Sequence, residues 1–177
     1  MTRPDPAPEA KAYQDALLAA LGDDDPADAQ AGTPERIRRL IAEAGDDLRV
    51  RPQPGEWSVL ECIGHLVDDE TVLSARYRWV LAQDEPQLNG FDQDAWVEGL
   101  RHNDDEPDAL LASFAAMRSA NVALWRRSSP AQRARVAIHS ERGRESFELM
   151  FRMLAGHDRV HLDQAERALA SVRGRGR

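Results

Sequence analysis

SFELMFRMLAGHDRVHLDQAERALA, residues 146–170, is a long segment with the periodicity of an amphipathic helix. Its apolar positions recur every three or four residues and are Phe147, Met150, Leu154, Ala165 and Ala168. His157 and His161 fall on the same face, four residues apart, so both imidazoles are predicted to point into the protein interior. An uncompensated polar group is costly there, so the pair needs a partner.

The spacing alone leaves two interpretations of this histidine pair open. The imidazoles are either core side chains that hydrogen-bond to backbone or carboxylate groups, or two ligands of one metal ion. The second interpretation requires a third ligand on another helix.

Composition narrows the classes of fold and function. The chain has 177 residues, which fits one domain, and its net charge of −8 argues against a nucleic-acid binder with a broad cationic face. No apolar run is long enough to span a membrane and no signal peptide is recognisable, so we expect a cytoplasmic protein. Cys62 is the single cysteine, so any metal must be held by His, Asp or Glu.

Helix signals along the chain predict an all-α fold, a four-helix bundle. We expect a flexible start at residues 1–8, one helical domain over residues 9–170 and a flexible basic tail at residues 171–177. Residues 23–32 have the composition of a linker, and Thr33-Pro34 is predicted to begin the next helix. Ser58 and Glu61 form a capping box for a helix that runs to about Gln83. Residues 86–103 are predicted to be irregular, residues 107–127 helical and residues 135–140 extended.

His65 is the best candidate for the third ligand. It lies on the helix that begins after Ser58, on the flank of the apolar face, where it could face a neighbouring helix. Asp69 is four residues further on, placed to accept a hydrogen bond from the His65 ring. His102 lies in a polar loop and His139 near a turn, and both are more simply solvated or locally bonded. Trp57 is interpreted as a core and turn anchor.

Three segments together resemble the DinB-like (YfiT-like) superfamily. They are GEWSVLE at residues 55–61, GHLVDDE at 64–70 and HDRVHLDQ at 157–164, and the resemblance covers roughly residues 34–170. It implies a four-helix bundle in which His65, His157 and His161 hold a divalent metal. Members of known activity include metal-dependent transferases and isomerases that use low-molecular-weight thiols.

A three-histidine site keeps a coordination position open, as catalytic metal sites do. Zinc is the first expectation, and nickel, iron or manganese also suit imidazole. Glu70 is a weak candidate for the proton acceptor, although a buried ion pair with Arg118 or Arg126 is at least as good an interpretation. Gln164 either orients a ligand or packs in the helix interface. Histidines bind metal as neutral imidazoles, so we expect binding to weaken as the pH falls through about 6.

The functional prediction is therefore a metal-dependent enzyme that activates a thiol or water, as a thiol transferase or hydrolase does. A metal-binding or stress-response protein without turnover and a helical dimerisation module are the alternatives. The expected partners are a small-molecule substrate, such as a low-molecular-weight thiol, and a second copy of the chain in a homodimer. Neither nucleic acid nor membrane is expected.

Overall fold

The computed structural model describes residues 8–175, which are mostly helical as predicted. The helices are α1 (Pro8–Leu21), α2 (Pro26–Ala44), α3 (Val59–Ala82), α4 (Gln93–Leu100), α5 (Pro107–Arg127), α6 (Pro130–Arg133) and α7 (Phe147–Arg175). Short 3₁₀ turns span Gly45–Arg49 and His102–Asp104, and the strands are β1 (Gln87–Leu88), β2 (Val136–His139) and β3 (Gly143–Ser146). None of the described helices is both long and apolar enough to cross a membrane.

Four long helices form the bundle. Helix α3 packs against α5 and α7, and α2 packs against the same two helices from the opposite side. Helix α1 lies outside this group against α7. The two are in tight contact at Gly156, where a Cβ atom would lie 1.9 Å from the carbonyl oxygen of Leu17. The absence of a side chain at Gly156 therefore lets α1 cover α7 one residue before His157.

Helix α2 begins earlier than predicted. Most of the expected linker at residues 23–32 is helical, because Asp25 caps the helix by accepting hydrogen bonds from the backbone N–H groups of Ala27 (2.8 Å) and Asp28 (3.0 Å). Asp25-Pro26 carries the same cap-and-proline signature as Thr33-Pro34. The expected start at Thr33-Pro34 is wrong, since both residues lie inside α2.

The proline inside α2 is accommodated by a buried arginine. Pro34 has no N–H to donate to the carbonyl of Gln30, one turn earlier. That carbonyl instead accepts a hydrogen bond of 3.2 Å from Nη1 of Arg118 on α5. The helix therefore continues through Pro34 without leaving this buried acceptor unpaired.

Other boundaries were predicted more closely. Ser58 and Glu61 form the expected capping box of α3, which ends at Ala82. Residues 135–140 contain β2, which pairs in parallel with β1 and antiparallel with β3 in a small sheet. Residues 86–103, predicted irregular, contain β1 and α4, whose N-cap is Asp92.

The chain ends differ from the prediction in part. Residues 171–175, expected to belong to a flexible tail, continue α7. Arg173 fastens this end to the turn after α2, since its Nε lies 3.2 Å from the Asp47 carboxylate and its Nη1 3.5 Å from that of Glu43. Residues 1–7 and 176–177 lie outside the described part of the chain, so the predictions for them are not addressed.

Candidate metal centre

Helices α3 and α7 bring three histidines together in the core. His65 comes from the second turn of α3, while His157 and His161 lie one turn apart on the facing side of α7. One ring nitrogen from each residue lies within 4.8 Å of those of the other two. Nε2 of His65 and Nε2 of His157 are 3.1 Å apart. The structure thus shows the convergence that the sequence predicted.

Burial keeps all three imidazoles neutral. His65, His157 and His161 are 1%, 4% and 8% exposed. Burial, reinforced by the neighbouring His157 and His161, lowers the pKa of His65 to about 2. Burial likewise lowers the pKa of His157 and that of His161 to about 4. With pKa values this low, we expect protons to compete for these rings in the folded protein near pH 4 and below, lower than the pH of about 6 predicted from an unperturbed histidine.

The donor set fits a divalent cation. Two neutral imidazoles that face each other through Nε2 at 3.1 Å need either a shared proton or a cation between them, because two lone pairs repel. Three imidazole donors suit zinc, nickel, copper or iron better than magnesium or calcium, which prefer oxygen ligands. The cluster contains no carboxylate or thiolate ligand, so three neutral ligands would leave the full charge of the ion.

Gln164 sets the protonated nitrogen of His161. Nδ1 of His161 lies 2.8 Å from Oε1 of Gln164, so Nδ1–H donates and Nε2 keeps its lone pair. This is the orienting contact that was one of the two interpretations for Gln164. Nδ1 of His65 and Nδ1 of His157 have no hydrogen-bond partner among residues 8–175.

Trp57 forms one wall of the histidine cluster. Its ring centroid lies 5.1 Å from that of His65 and 5.9 Å from that of His161, and it stacks on His161 with an interplanar angle of 21°. Trp57 belongs to the core, as predicted, but its contact with two histidines was not foreseen. Its position directly before the N-cap of α3, two turns before His65, could have indicated this contact.

Asp69 contacts a different histidine from the one predicted. Its Oδ2 lies 3.0 Å from Nε2 of His157 on the neighbouring helix, whereas the prediction paired it with His65 on its own helix. Residues four apart share a face of α3, but α7 passes close enough for the carboxylate to reach across. Burial raises the pKa of Asp69 to about 6.

A cavity of about 680 Å³ adjoins the cluster. His65, Asp69 and His157 line one end of it. The sequence analysis assigned none of its other lining residues to a site, and these include Tyr13, Leu73, Arg76, Arg142, Met150 and Met153. They come from α1, α3, α7 and the turn between β2 and β3, which no local pattern relates to one another.

Comparison with known proteins identifies the family. The sequence profile of the DinB superfamily matches residues 29–165. The chain belongs to the DinB superfamily. A Geobacillus thermodenitrificans (strain NG80-2) protein named "Putative metal-dependent hydrolase" is 26% identical over 92 residues, which are 50% of this chain and 52% of that protein. The chain therefore matches only about half the length of that relative.

The fold of this DinB-superfamily protein is similar to that of YfiT from Bacillus subtilis. The two structures align with a TM-score of 0.74 over 98% of this chain and 93% of YfiT, at 19% sequence identity. YfiT is described as "a probable metal-dependent hydrolase with an unusual four-helix bundle topology". At this identity the similarity shows the four-helix bundle and nothing further.

Glu70, the weak catalytic candidate, is part of a buried ion-pair network of the DinB-superfamily bundle. It accepts hydrogen bonds from Nε of Arg118 (2.9 Å) and Nδ2 of Asn121 (2.7 Å) and is fully buried. Arg118 also pairs with Asp158, the residue after His157. Glu70 does not line the cavity, so the structure supports the predicted alternative of a buried pair and not a role as proton acceptor.

His102 and His139 lie outside the cluster, and neither is solvated. The ring of His102 lies 2.8 Å from Asp68 and 2.8 Å from Asp105 and is buried, because Gly64 leaves room for it against α3. His139 is also buried, and its Nδ1 accepts hydrogen bonds from backbone N–H groups of the following turn. Local bonding was the correct part of this prediction, and solvent exposure was the wrong part.

Proposed function

We propose that this protein is a divalent-metal-dependent enzyme that activates water for hydrolysis of a small molecule. The observation that carries the proposal is the convergence of His65, His157 and His161 beside a cavity that His65 and His157 line. Structural zinc sites are usually closed by four protein ligands, whereas three leave a position for another molecule. An adjoining cavity is what a catalytic site needs and what a structural metal site does not.

The histidines and Trp57 prepare the site. Their lowered pKa values keep the three rings neutral, so each offers a lone pair at physiological pH. Gln164 holds the His161 ring in the orientation that presents Nε2. Trp57 covers the rings of His65 and His161 and excludes water from that side. A divalent cation held there would make a bound water or thiol acidic at neutral pH.

Asp69 is the best candidate for the general base. It lines the cavity, and its Oδ2 lies 3.0 Å from Nε2 of His157. Because burial raises its pKa to about 6, the carboxylate is largely ionised at neutral pH and still basic enough to accept a proton at Oδ2. Asp69 replaces Glu70 in this role, since Arg118 and Asn121 already occupy the Glu70 carboxylate.

Metal binding is tested first, on protein stripped with a chelator and reloaded with zinc, nickel, iron or manganese. We expect one equivalent in the wild type and less than about a tenth of an equivalent in His65→Ala or His157→Ala, because two imidazoles bind far more weakly than three. His139→Asn is the matched control, since it removes a buried histidine outside the cluster, and it should retain one equivalent. Less than about a tenth of an equivalent in the wild type would overturn the proposal.

Turnover is tested on the same preparations with a panel of esters, amides and phosphoesters. Hydrolysis should require the metal, disappear in His65→Ala, persist in His139→Asn and fall by about 10²–10⁴ in Asp69→Asn. A parallel panel of low-molecular-weight thiols with electrophiles tests thiol transfer, which uses the same donor set. Transfer without hydrolysis would replace water by a thiol as the nucleophile, and no turnover in either panel would leave a metal-binding protein and refute the enzyme.

A further inference from the structure

The cavity runs along the groove between α3 and α7, away from the histidine cluster. His65, Asp69, Leu73 and Arg76 line it from successive turns of α3. Eleven residues separate His65 from Arg76, which is about 16 Å along the helix axis at 1.5 Å per residue. The cavity thus has a histidine end and an arginine end.

The section between the two ends is mostly apolar. Its lining comes from α1, α3 and α7 and includes Leu17, Leu73, Met150, Met153 and Leu154, together with Tyr13. No charge from these side chains separates the carboxylate of Asp69 from the guanidinium of Arg76. A ligand that fills the cavity therefore places an apolar segment here, where burial of its surface is favourable.

Arg76 is a buried cation without a carboxylate partner. Its side chain is 3% exposed, and its hydrogen bond goes from Nη2 to the backbone carbonyl of Asn89. Within residues 8–175 no carboxylate lies at ion-pair distance from it, whereas buried arginines are normally paired. Arginine remains charged when buried, so Arg76 brings to this end of the cavity a positive charge that no ion pair among these residues neutralises, since Asp69 and Glu145 act on it only from beyond ion-pair distance.

A second guanidinium faces the same end. Arg142 lines the cavity beside Arg76, but Glu145 already neutralises it through hydrogen bonds of 2.6 Å and 3.0 Å from Nε and Nη2. Glu145 is itself fixed by a 2.9 Å hydrogen bond from Nε2 of Gln14. The lining residues Glu9 and Glu141 are exposed. Of the two guanidiniums, that of Arg142 is therefore paired with Glu145, and that of Arg76 is left without an ion-pair partner in the described part of the chain.

We propose that Arg76 binds a carboxylate of the substrate, at the opposite end of the cavity from the three histidines. The guanidinium fork matches a carboxylate with two parallel hydrogen bonds, and a buried anion offsets the unpaired charge. The substrate class is a small molecule with a reacting group at one end, an apolar middle and a carboxylate at the other. This assignment rests on the proposed function for the histidine end.

The test uses zinc-loaded protein and a series of ω-mercaptocarboxylates of increasing chain length, each paired with the ω-mercaptoalcohol of equal length. Dissociation constants are measured by isothermal titration calorimetry, so activity is not required. At the chain length that spans the cavity, the acid should bind about tenfold tighter than the alcohol or better. Arg76→Gln should remove this difference and leave the dissociation constant of the alcohol unchanged. Arg76→Lys should keep part of the preference for the acid.

The control is Arg144→Gln. Arg144 lies in the β2–β3 hairpin that also carries Arg142, but it is exposed and pairs with Glu85 outside the cavity. The control variant should keep the full preference for the acid. Equal binding of acid and alcohol by the wild type at every chain length would overturn the assignment while leaving the metal site intact. If Arg76→Gln does not fold, an undiminished preference for the acid in Arg76→Lys would likewise overturn the assignment.

Failure of the proposed function has a different signature. Protein that takes up no zinc refutes the metal site, and the arginine end is then tested on metal-free protein by thermal unfolding. Glutarate should raise the melting temperature of the wild type more than 1,5-pentanediol does, and Arg76→Gln or Arg76→Lys should reduce that difference. No difference between the two additives in the wild type would refute the carboxylate site.

Discussion

The buried histidines predict a steep acid destabilisation of the metal-free protein. His65, His157 and His161 have folded-state pKa values lowered from 6.5 to about 2, 4 and 4, chiefly by burial. Below pH 6.5 these three histidines bind protons in the unfolded chain, whereas in the folded chain they remain unprotonated. Their contribution to stability is therefore fully present above pH 6.5 and is lost as the pH falls toward 4.

The magnitude follows from this difference in proton uptake. Between about pH 8 and pH 5, each histidine of this kind lowers the free energy of unfolding by about 2 kcal/mol, and three lower it by about 6 kcal/mol. Small domains are stable by only about 5–15 kcal/mol, so the three histidines alone would remove a large part of the stability of the metal-free protein by about pH 5. His139, whose pKa burial lowers to about 4, adds to the effect. His102, whose pKa the hydrogen bond to Asp68 raises, opposes it, as do Asp69 and Glu70, whose pKa values burial raises.

The assay is urea unfolding with a chelator present, repeated at intervals of pH. His157→Gln isolates one member of the cluster, because the change of stability with pH is compared and not its absolute value. The variant should lose about 2 kcal/mol less than the wild type between about pH 8 and pH 5. Identical pH dependence in the two proteins, or a flat profile in the wild type, would refute the claim that the cluster is held neutral by burial.

Three further predictions concern the framework of the site. Arg118→Met should lower the free energy of unfolding, measured with urea, by about 3–5 kcal/mol because it leaves two buried carboxylates unpaired. Arg126→Met, which breaks an exposed pair, should lower it by at most about 1 kcal/mol. Equal losses would contradict the burial of the network. Gly156→Ala should lower the free energy of unfolding by about 1–3 kcal/mol because its Cβ meets the backbone of α1. Gly32→Ala, whose Cβ has no atom within 4 Å, should be neutral or slightly stabilising. A neutral Gly156→Ala would mean that α1 does not pack at Gly156. Gln164→Leu should weaken zinc binding by about 10–100-fold in a chelator competition, and unchanged affinity would mean that Gln164 does not orient His161.

Local signals predicted the helices that carry the site. The capping box at Ser58 and Glu61 fixes where α3 begins, so the face on which His65 lies could be read from the sequence. The spacing of His157 and His161 within an apolar face likewise fixed their direction. Both predictions depend only on residues within a few turns of each other, which is why they could be made without a structure.

Apart from the convergence of the three histidines, which the family resemblance implied, contacts between helices were beyond such reasoning. Asp69 shares a flank of α3 with His65, but the proximity of α7 decides that it contacts His157 instead. Arg76 and Arg142, to which the sequence assigned no role, meet because a helix and a hairpin line the same cavity. The start of α2 was predicted wrongly for another reason. Asp25-Pro26 and Thr33-Pro34 are equivalent local signals, and the contact of Arg118 with the Gln30 carbonyl, which satisfies the acceptor that Pro34 leaves free, could not be read from the sequence.

Anomalous diffraction from crystals of the zinc-loaded protein, collected on either side of the zinc absorption edge, tests the central claim most directly. We predict one strong anomalous peak at about 2.0–2.1 Å from a ring nitrogen of His65, of His157 and of His161. A peak bound by other residues, or a fully loaded crystal with no peak among these three rings, would contradict it.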